Sequence, residues 1–122
     1  ALGAITGFHI IEHLPTRILI ALLDEALRVL RPGGMVIFET PNPGNLLVGS
    51  CNFYMDPTHR NPLPASLSHY LVEARGFVRA RIIELHPYDA SHLINDGPPQ
   101  WVQTLNQRFF GPQDYAVVAC KA

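Results

Sequence analysis

No stretch of this sequence stays apolar for anything near the ~18 residues that a membrane-spanning helix needs. The opening residues also lack the basic segment and cleavage site of a secretory signal. Charge is sparse: charged residues make up 16% of the chain, the net charge is -1, and the nine lysines and arginines stand singly. There is no basic field for a phosphate backbone, so nucleic acid is not an expected partner. Cysteine is limited to Cys51 and Cys120, far apart and without CxxC or Cys/His spacing. That excludes a disulfide framework and a structural zinc site, leaves both thiols as packing residues, and makes a reducing, cytoplasmic setting the default expectation. Internal repeats and low-complexity tracts are absent as well.

What is present suits one folded unit. The 122 residues are 48% apolar, enough for one core and one domain over residues 1–122. The chain opens on Ala1 rather than Met, as expected of a processed or excised piece. Ala4 to Ile11 is apolar on both faces, which predicts a buried parallel strand. From Thr16, placed to cap, the residues Ile18, Leu19, Leu22, Leu23, Ala26, Leu27 and Leu30 recur at helical spacing, with Asp24 and Arg28 paired at i,i+4. Pro32 and Gly33 stop that helix. Met35 to Thr40 is a second strand, closed by Pro41-Asn42-Pro43-Gly44, so strand, helix and strand form a parallel crossover. Residues 44–64 read as a long irregular loop, a candidate substrate lid. Ser66 to Arg75 repeats helical spacing through Leu67, Tyr70, Leu71 and Ala74, with Gly76 at the C-terminal cap. Phe77–Leu85 and Tyr115–Ala119 are strands that can close an antiparallel pair across a Pro/Gly-rich stretch, whose Trp101, Phe109 and Phe110 read as a satellite core.

Three segments in order, FHIIEHL (Phe8–Leu14) at a strand end, LRPGG (Leu30–Gly34) before the next strand and EARGF (Glu73–Phe77) before the next, carry a resemblance. Over nearly its whole length the chain resembles class I S-adenosylmethionine-dependent methyltransferases. The resemblance implies an α/β fold: a partial Rossmann-like sheet, strands four to seven of seven, mixed, with an antiparallel last strand. The strand and G-x-G-x-x-G loop that open such domains are nowhere in the sequence. The chain is therefore expected to be the C-terminal part of a methyltransferase domain, unable to bind the cofactor fully alone. FYMDPTHRNPLP, SLSHYLVEARGF and ELHPYD are similar, more narrowly, to bacterial enzymes of surface-polysaccharide biosynthesis, which implies a saccharide or other small acceptor.

The resemblance implies that Phe8, His9 and Ile10 adjoin S-adenosylmethionine, with Glu12 and His13 just beyond. Methyl transfer to a hydroxyl needs an in-line acceptor and a base, and Glu12, His13 and His59 are the candidates for that work. Asn42, Asp56, His59 and Arg60 are candidate acceptor-binding residues, Arg60 as a bidentate donor to an acidic group. All of these but Arg60 have a plainer role: Glu12 and His13 tying the loop backbone, Asp56 and His59 stabilising a turn, Asn42 filling a turn between prolines.

His9-x-x-Glu12-His13 also matches the reversed zinc-peptidase pattern, which needs both histidines on one helix face, and Pro15 follows at once. A zinc hydrolase is thus a remote alternative, a magnesium role for Glu12 and His13 as in some quinone-type methyltransferases another, and no metal is the expectation. The main competitor to an enzyme is a non-catalytic remnant of methyltransferase ancestry. An apolar strand near Ala4 without its usual neighbour predicts self-association through that edge.

Overall fold

In a computed structural model, which describes residues 1–122, the expected strand–helix–strand opening is present. Strand β1 (Leu2–Phe8) runs into a 3-10 turn (Ile11–His13), helix α1 (Thr16–Val29) and strand β2 (Leu30–Pro41), and β1 pairs with β2 in parallel. Helix α2 (Leu46–Ser50), a 3-10 turn (Asn52–Met55), helix α3 (Ala65–Ala74), strand β3 (Val78–Leu85), helix α4 (Pro99–Phe110) and strand β4 (Asp114–Cys120) follow. The four strands form one mixed sheet in the order β1-β2-β4-β3, with β4 antiparallel to both neighbours. The α/β sheet with an inserted antiparallel last strand is thus as the sequence indicated.

Helix α1 buries Leu19, Leu23 and Ala26, spaced so that one stripe meets the sheet. On the strands the matching positions are cross-strand partners: Val36 faces Ala119, Phe38 faces Val117 and Thr40 faces Tyr115. Together with Val72 of α3, Ile11, Leu63 and Phe77, these residues make up the core, Thr40 adding a polar group at its rim. Gly7 lies opposite Phe38, whose ring would come within 2.9 Å of a Cβ there, so only glycine leaves room for it. Helix α3 ends in a Schellman motif: Phe77 N–H donates to Val72 C=O, Gly76 N–H to Glu73 C=O, and Gly76 has φ 100°.

Several expectations are corrected. Strand β1 ends at Phe8 and is an edge strand, exposed along most of its length rather than buried, because nothing covers its outer side. Thr16 does not cap α1; Pro15 occupies that position and its carbonyl accepts from Ile18 and Leu19 N–H. Arg28 pairs with Glu25 at i,i+3, and Asp24 instead takes a bidentate pair from Arg75, the residue after α3, at 2.7 and 2.8 Å. Leu30 already belongs to β2, so Arg31–Gly34 is an irregularity within the strand, where the β1 register jumps from Leu30 to Met35. The proposed loop holds α2, capped by the Asn45 side chain accepting from Leu47 and Val48 N–H. The buried face of α3 is Ser68 and Val72, with Leu67 and Tyr70 outward. The Pro/Gly-rich stretch contains α4, whose Trp101 is exposed, and Cys51 is exposed too. No helix is long and apolar enough to cross a membrane.

Candidate functional site

The carboxyl ends of β1 and β2 carry the concentration of ionisable groups. After β1 the chain turns sharply: His9 has φ 56°, its N–H donates to Glu39 C=O, and the 3-10 turn then points Glu12 inward. Glu12 has no exposed surface. Thr40 Oγ1 donates to its Oε1 at 3.0 Å, while Oε2 is buried without a hydrogen-bond partner. Three imidazole nitrogens surround that oxygen, His9 Nδ1, His13 Nε2 and His59 Nε2, each at 3.7 Å and so beyond hydrogen-bonding distance.

Backbone hydrogen bonds bring His59 there from far along the chain. Glu12 C=O accepts from both Arg60 and Asn61 N–H at 2.9 and 3.0 Å, and Asn61 Nδ2 donates to Leu14 C=O at 2.6 Å. Asp56 shapes the loop between: its Oδ1 accepts from Thr58 N–H and Oγ1, and these bonds, with the side-chain one foremost, hold its carboxyl below the usual carboxylate range.

The two nearer imidazoles have defined orientations. His59 Nδ1 lies 2.6 Å from Phe53 C=O and His13 Nδ1 lies 3.0 Å from Thr58 C=O. A carbonyl only accepts, so each Nδ1 carries the proton and each Nε2 faces Glu12. The rings meet edge to face at 4.8 Å. Glu12, His13 and His59 thus come together, each offering a ligand atom within 4.8 Å of the others.

His9 belongs to a second group: its Nε2 lies 2.8 Å from Glu39 Oε2 and 3.8 Å from Asp114 Oδ1, and His86 Nδ1 lies 2.8 Å from Asp114 Oδ2. The zinc-peptidase pattern is therefore not realised, since His9 precedes the turn and is engaged elsewhere while His59 stands beside His13. Phe8 and Ile10 are exposed at the end of β1. Arg60 is exposed and makes no ion pair. Asn42 is separate from the cluster: its amide donates to Pro112 C=O and accepts from Gly44 N–H, the turn role.

Of two clefts at this end of the chain's fold, the smaller is lined by members of these groups. A cleft of about 450 Å³, largely polar, lies among Asn42, Ser66, Glu84, Gln107, Arg108 and Tyr115. A shallower one of about 240 Å³ runs along His9, Phe53, His59 and Asp114. Sequence reasoning missed Thr40, Glu39, Asp114 and His86. Glu39 and Thr40 were detectable as polar residues at a strand's carboxyl end, the place where α/β sheets build their sites.

No protein-family model and no curated protein matches the chain. Solved structures do. A SAM-dependent methyltransferase from Archaeoglobus fulgidus matches with TM-score 0.89 and 28% identity, covering 98% of this chain and 59% of that one. A SAM-dependent methyltransferase from Thermotoga maritima matches with TM-score 0.70 and 13% identity, over 98% and 56%. Phosphoethanolamine N-methyltransferase 2 from Haemonchus contortus, in complex with S-adenosyl-L-methionine, matches with TM-score 0.67 and 14% identity, over 98% and 33%. The chain thus spans between a third and three fifths of the length of these proteins. Its strand order, its antiparallel β4 and these likenesses make its fold that of the class I S-adenosylmethionine-dependent methyltransferases.

Proposed function

We propose that these residues form the acceptor side of an S-adenosylmethionine-dependent methyltransferase that methylates an oxygen of a small polyhydroxylated acceptor such as a saccharide. The observation that carries this reading is Glu12, fully buried, with an unpartnered oxygen facing two oriented imidazoles at a strand end in this fold. Burial of a carboxylate with one oxygen left without a donor is costly, and sites of reaction are where such costs are borne. The acceptor O–H would give its proton to this cluster as its oxygen attacks the sulfonium methyl in line, and the sulfur would leave as a neutral thioether. Phe8, His9 and Ile10 are assigned to the cofactor side, and Asp56, His59 and Arg60 to the acceptor. The cleft of about 450 Å³ with its Glu84, Gln107 and Arg108 offers the hydrogen-bonding groups a saccharide requires, and Asn42 borders it.

No strand followed by a glycine-rich loop occurs among the 122 residues, so cofactor affinity of this chain by itself is expected to be weak. Calorimetric titration of S-adenosylmethionine and S-adenosylhomocysteine into the chain tests this. Saturable, near-stoichiometric binding would mean the pocket is complete and acceptor screening follows. No heat at millimolar ligand would leave the second reading, a non-catalytic module of the same ancestry.

That second reading is favoured by one feature, the open outer edge of β1 with Leu2 and Phe8 exposed on it. A second copy of the chain is the occupant that would satisfy its unpaired backbone groups. A concentration-dependent dimer in light scattering at tens of micromolar is expected, and a strictly monomeric chain would count against it.

A further inference from the structure

We infer that Glu12, His13 and His59 form a binding site for one divalent transition-metal ion of the zinc or manganese kind. This deepens the proposed function by placing an ion in the same cluster, but it stands on the geometry of the three side chains alone.

The first argument is electrostatic. Glu12 Oε2 has neither solvent nor a hydrogen-bond donor, and the unprotonated Nε2 atoms of His13 and His59 stand 3.7 Å from it. That separation is too long for a hydrogen bond and close to the spacing of two ligands on one ion. With metal–nitrogen and metal–oxygen bonds of about 2.1 Å, neighbouring tetrahedral ligands lie about 3.4 Å apart. Small rotations of the three side chains close the difference.

The second argument concerns the rings. Histidine ligands characteristically donate their remote N–H to a carbonyl or carboxylate, which fixes the tautomer and aims the other nitrogen at the metal. Both rings do so here, His59 through Phe53 C=O and His13 through Thr58 C=O, and both leave Nε2 directed at the Glu12 carboxylate. Thr40 supplies the corresponding bond to the carboxylate itself. Each of the three ligands is thus held by a hydrogen bond that does not use its ligating atom.

The third argument selects the ion. Two imidazoles and one carboxylate suit zinc, manganese or iron, whereas magnesium prefers an all-oxygen set. Three protein ligands leave at least one position open, and His59 borders the cleft of about 240 Å³ through which a hydroxyl oxygen would reach it. An ion so placed would acidify a bound hydroxyl, and because the three side chains would then be ligands the released proton would pass to solvent rather than to the cluster itself.

The test is metal uptake by the chain itself, without cofactor or acceptor, so it is independent of methyl transfer. Zn²⁺ and Mn²⁺ are titrated calorimetrically, with Co²⁺ as a spectroscopic probe and Mg²⁺ as the comparison. One tight equivalent of Zn²⁺ is expected, with Co²⁺ visible bands showing nitrogen coordination and Mg²⁺ much weaker. Replacing either His13 or His59 by Ala should lower Zn²⁺ affinity about 100-fold or more, and His9→Ala should leave it within about twofold. Circular dichroism checks that each variant folds, and the wild-type titration decides if one does not. Absence of saturable uptake of Zn²⁺, Mn²⁺ and Co²⁺ by the wild-type chain would overturn the inference. So would uptake abolished by His9→Ala but kept by the His13 and His59 variants, which would move the ion to the Glu39–Asp114 group.

Discussion

Thr40 Oγ1 donates a 3.0 Å hydrogen bond to Glu12 Oε1, and neither residue exposes any surface. This bond from β2 is the one donor the buried carboxylate has, and it ties the turn after β1 to the neighbouring strand. Thr40→Val keeps the shape and deletes the donor. The expected cost is about 1.5–3 kcal/mol, the range for a hydrogen bond to a charged group. A shift of the urea midpoint without change of slope would show it, and a loss below about 0.5 kcal/mol would mean that Glu12 is not dependent on this bond.

Tyr115 predicts behaviour in alkali. Its hydroxyl donates to Leu63 C=O at 2.7 Å, so it must accept from Ser68 Oγ, and burial foremost pushes its ionisation up to about 12. The unfolded chain loses this proton near pH ~10, so it then binds fewer protons than the native state and stability falls as pH rises. The expected slope from this group is about 1.4 kcal/mol per pH unit between the unfolded and folded values. Tyr115→Phe should abolish that contribution while lowering stability at neutral pH by about 1–3 kcal/mol, because Ser68 and the Leu63 carbonyl lose their partner. Equal alkaline slopes in both proteins would refute the assignment.

Asp56 acts at the other end of the scale. Its carboxyl is held low first by the Thr58 hydroxyl and then by the Thr58 N–H. A depressed native value gives stability that is present above the unfolded pKa and is lost as pH falls through the folded one. Acid titration of the wild-type chain should therefore show a loss, starting below about pH 4, that Asp56→Ala lacks. Because Thr58 also places a carbonyl on His13, the same variant should broaden the His13 ring resonances in NMR spectra.

Gly49 sits in α2 where a Cβ would come 2.5 Å from Pro43 C=O. Backbone cannot yield as a flexible side chain does. Gly49→Ala is expected to cost about 1–3 kcal/mol as an overpacking change, whereas helix propensity alone would make it stabilising by up to about 1 kcal/mol. The sign of the change in thermal midpoint separates the two.

The parts legible in the sequence were those with a periodic signal. Leu19, Leu23 and Ala26 announce α1 because a helix on a sheet must present one apolar stripe, and β2 and β4 are dense in branched apolar residues. Helix α4 escaped although Trp101, Val102, Leu105 and Phe109 recur at helical spacing, because they follow a Pro/Gly-rich stretch and none of them is buried; Pro99 at its first turn was a further mark. Asn45 was a similar mark for α2. Arg31–Gly34 misled because proline and glycine that end helices also serve irregular strands. In the candidate site, Glu12 and His13 were visible as neighbours, and His59 was singled out by its loop. Its meeting with them depends on Arg60 and Asn61 N–H donating to Glu12 C=O, long-range backbone bonds that no local pattern encodes.

Helix α4 carries no buried residue, yet Gln107 and Arg108 from it wall the larger cleft. Little apolar area ties it down, so it belongs to the low-stability end of the molecule, where opening costs far less than global unfolding. Amide hydrogen exchange should accordingly run in two regimes: fast for Pro99–Phe110, and slow for the β2 and β4 amides at Val36, Phe38, Val117 and Ala119. A wall able to peel away while the sheet stays shut would let a ligand too bulky for the closed cleft enter and leave it.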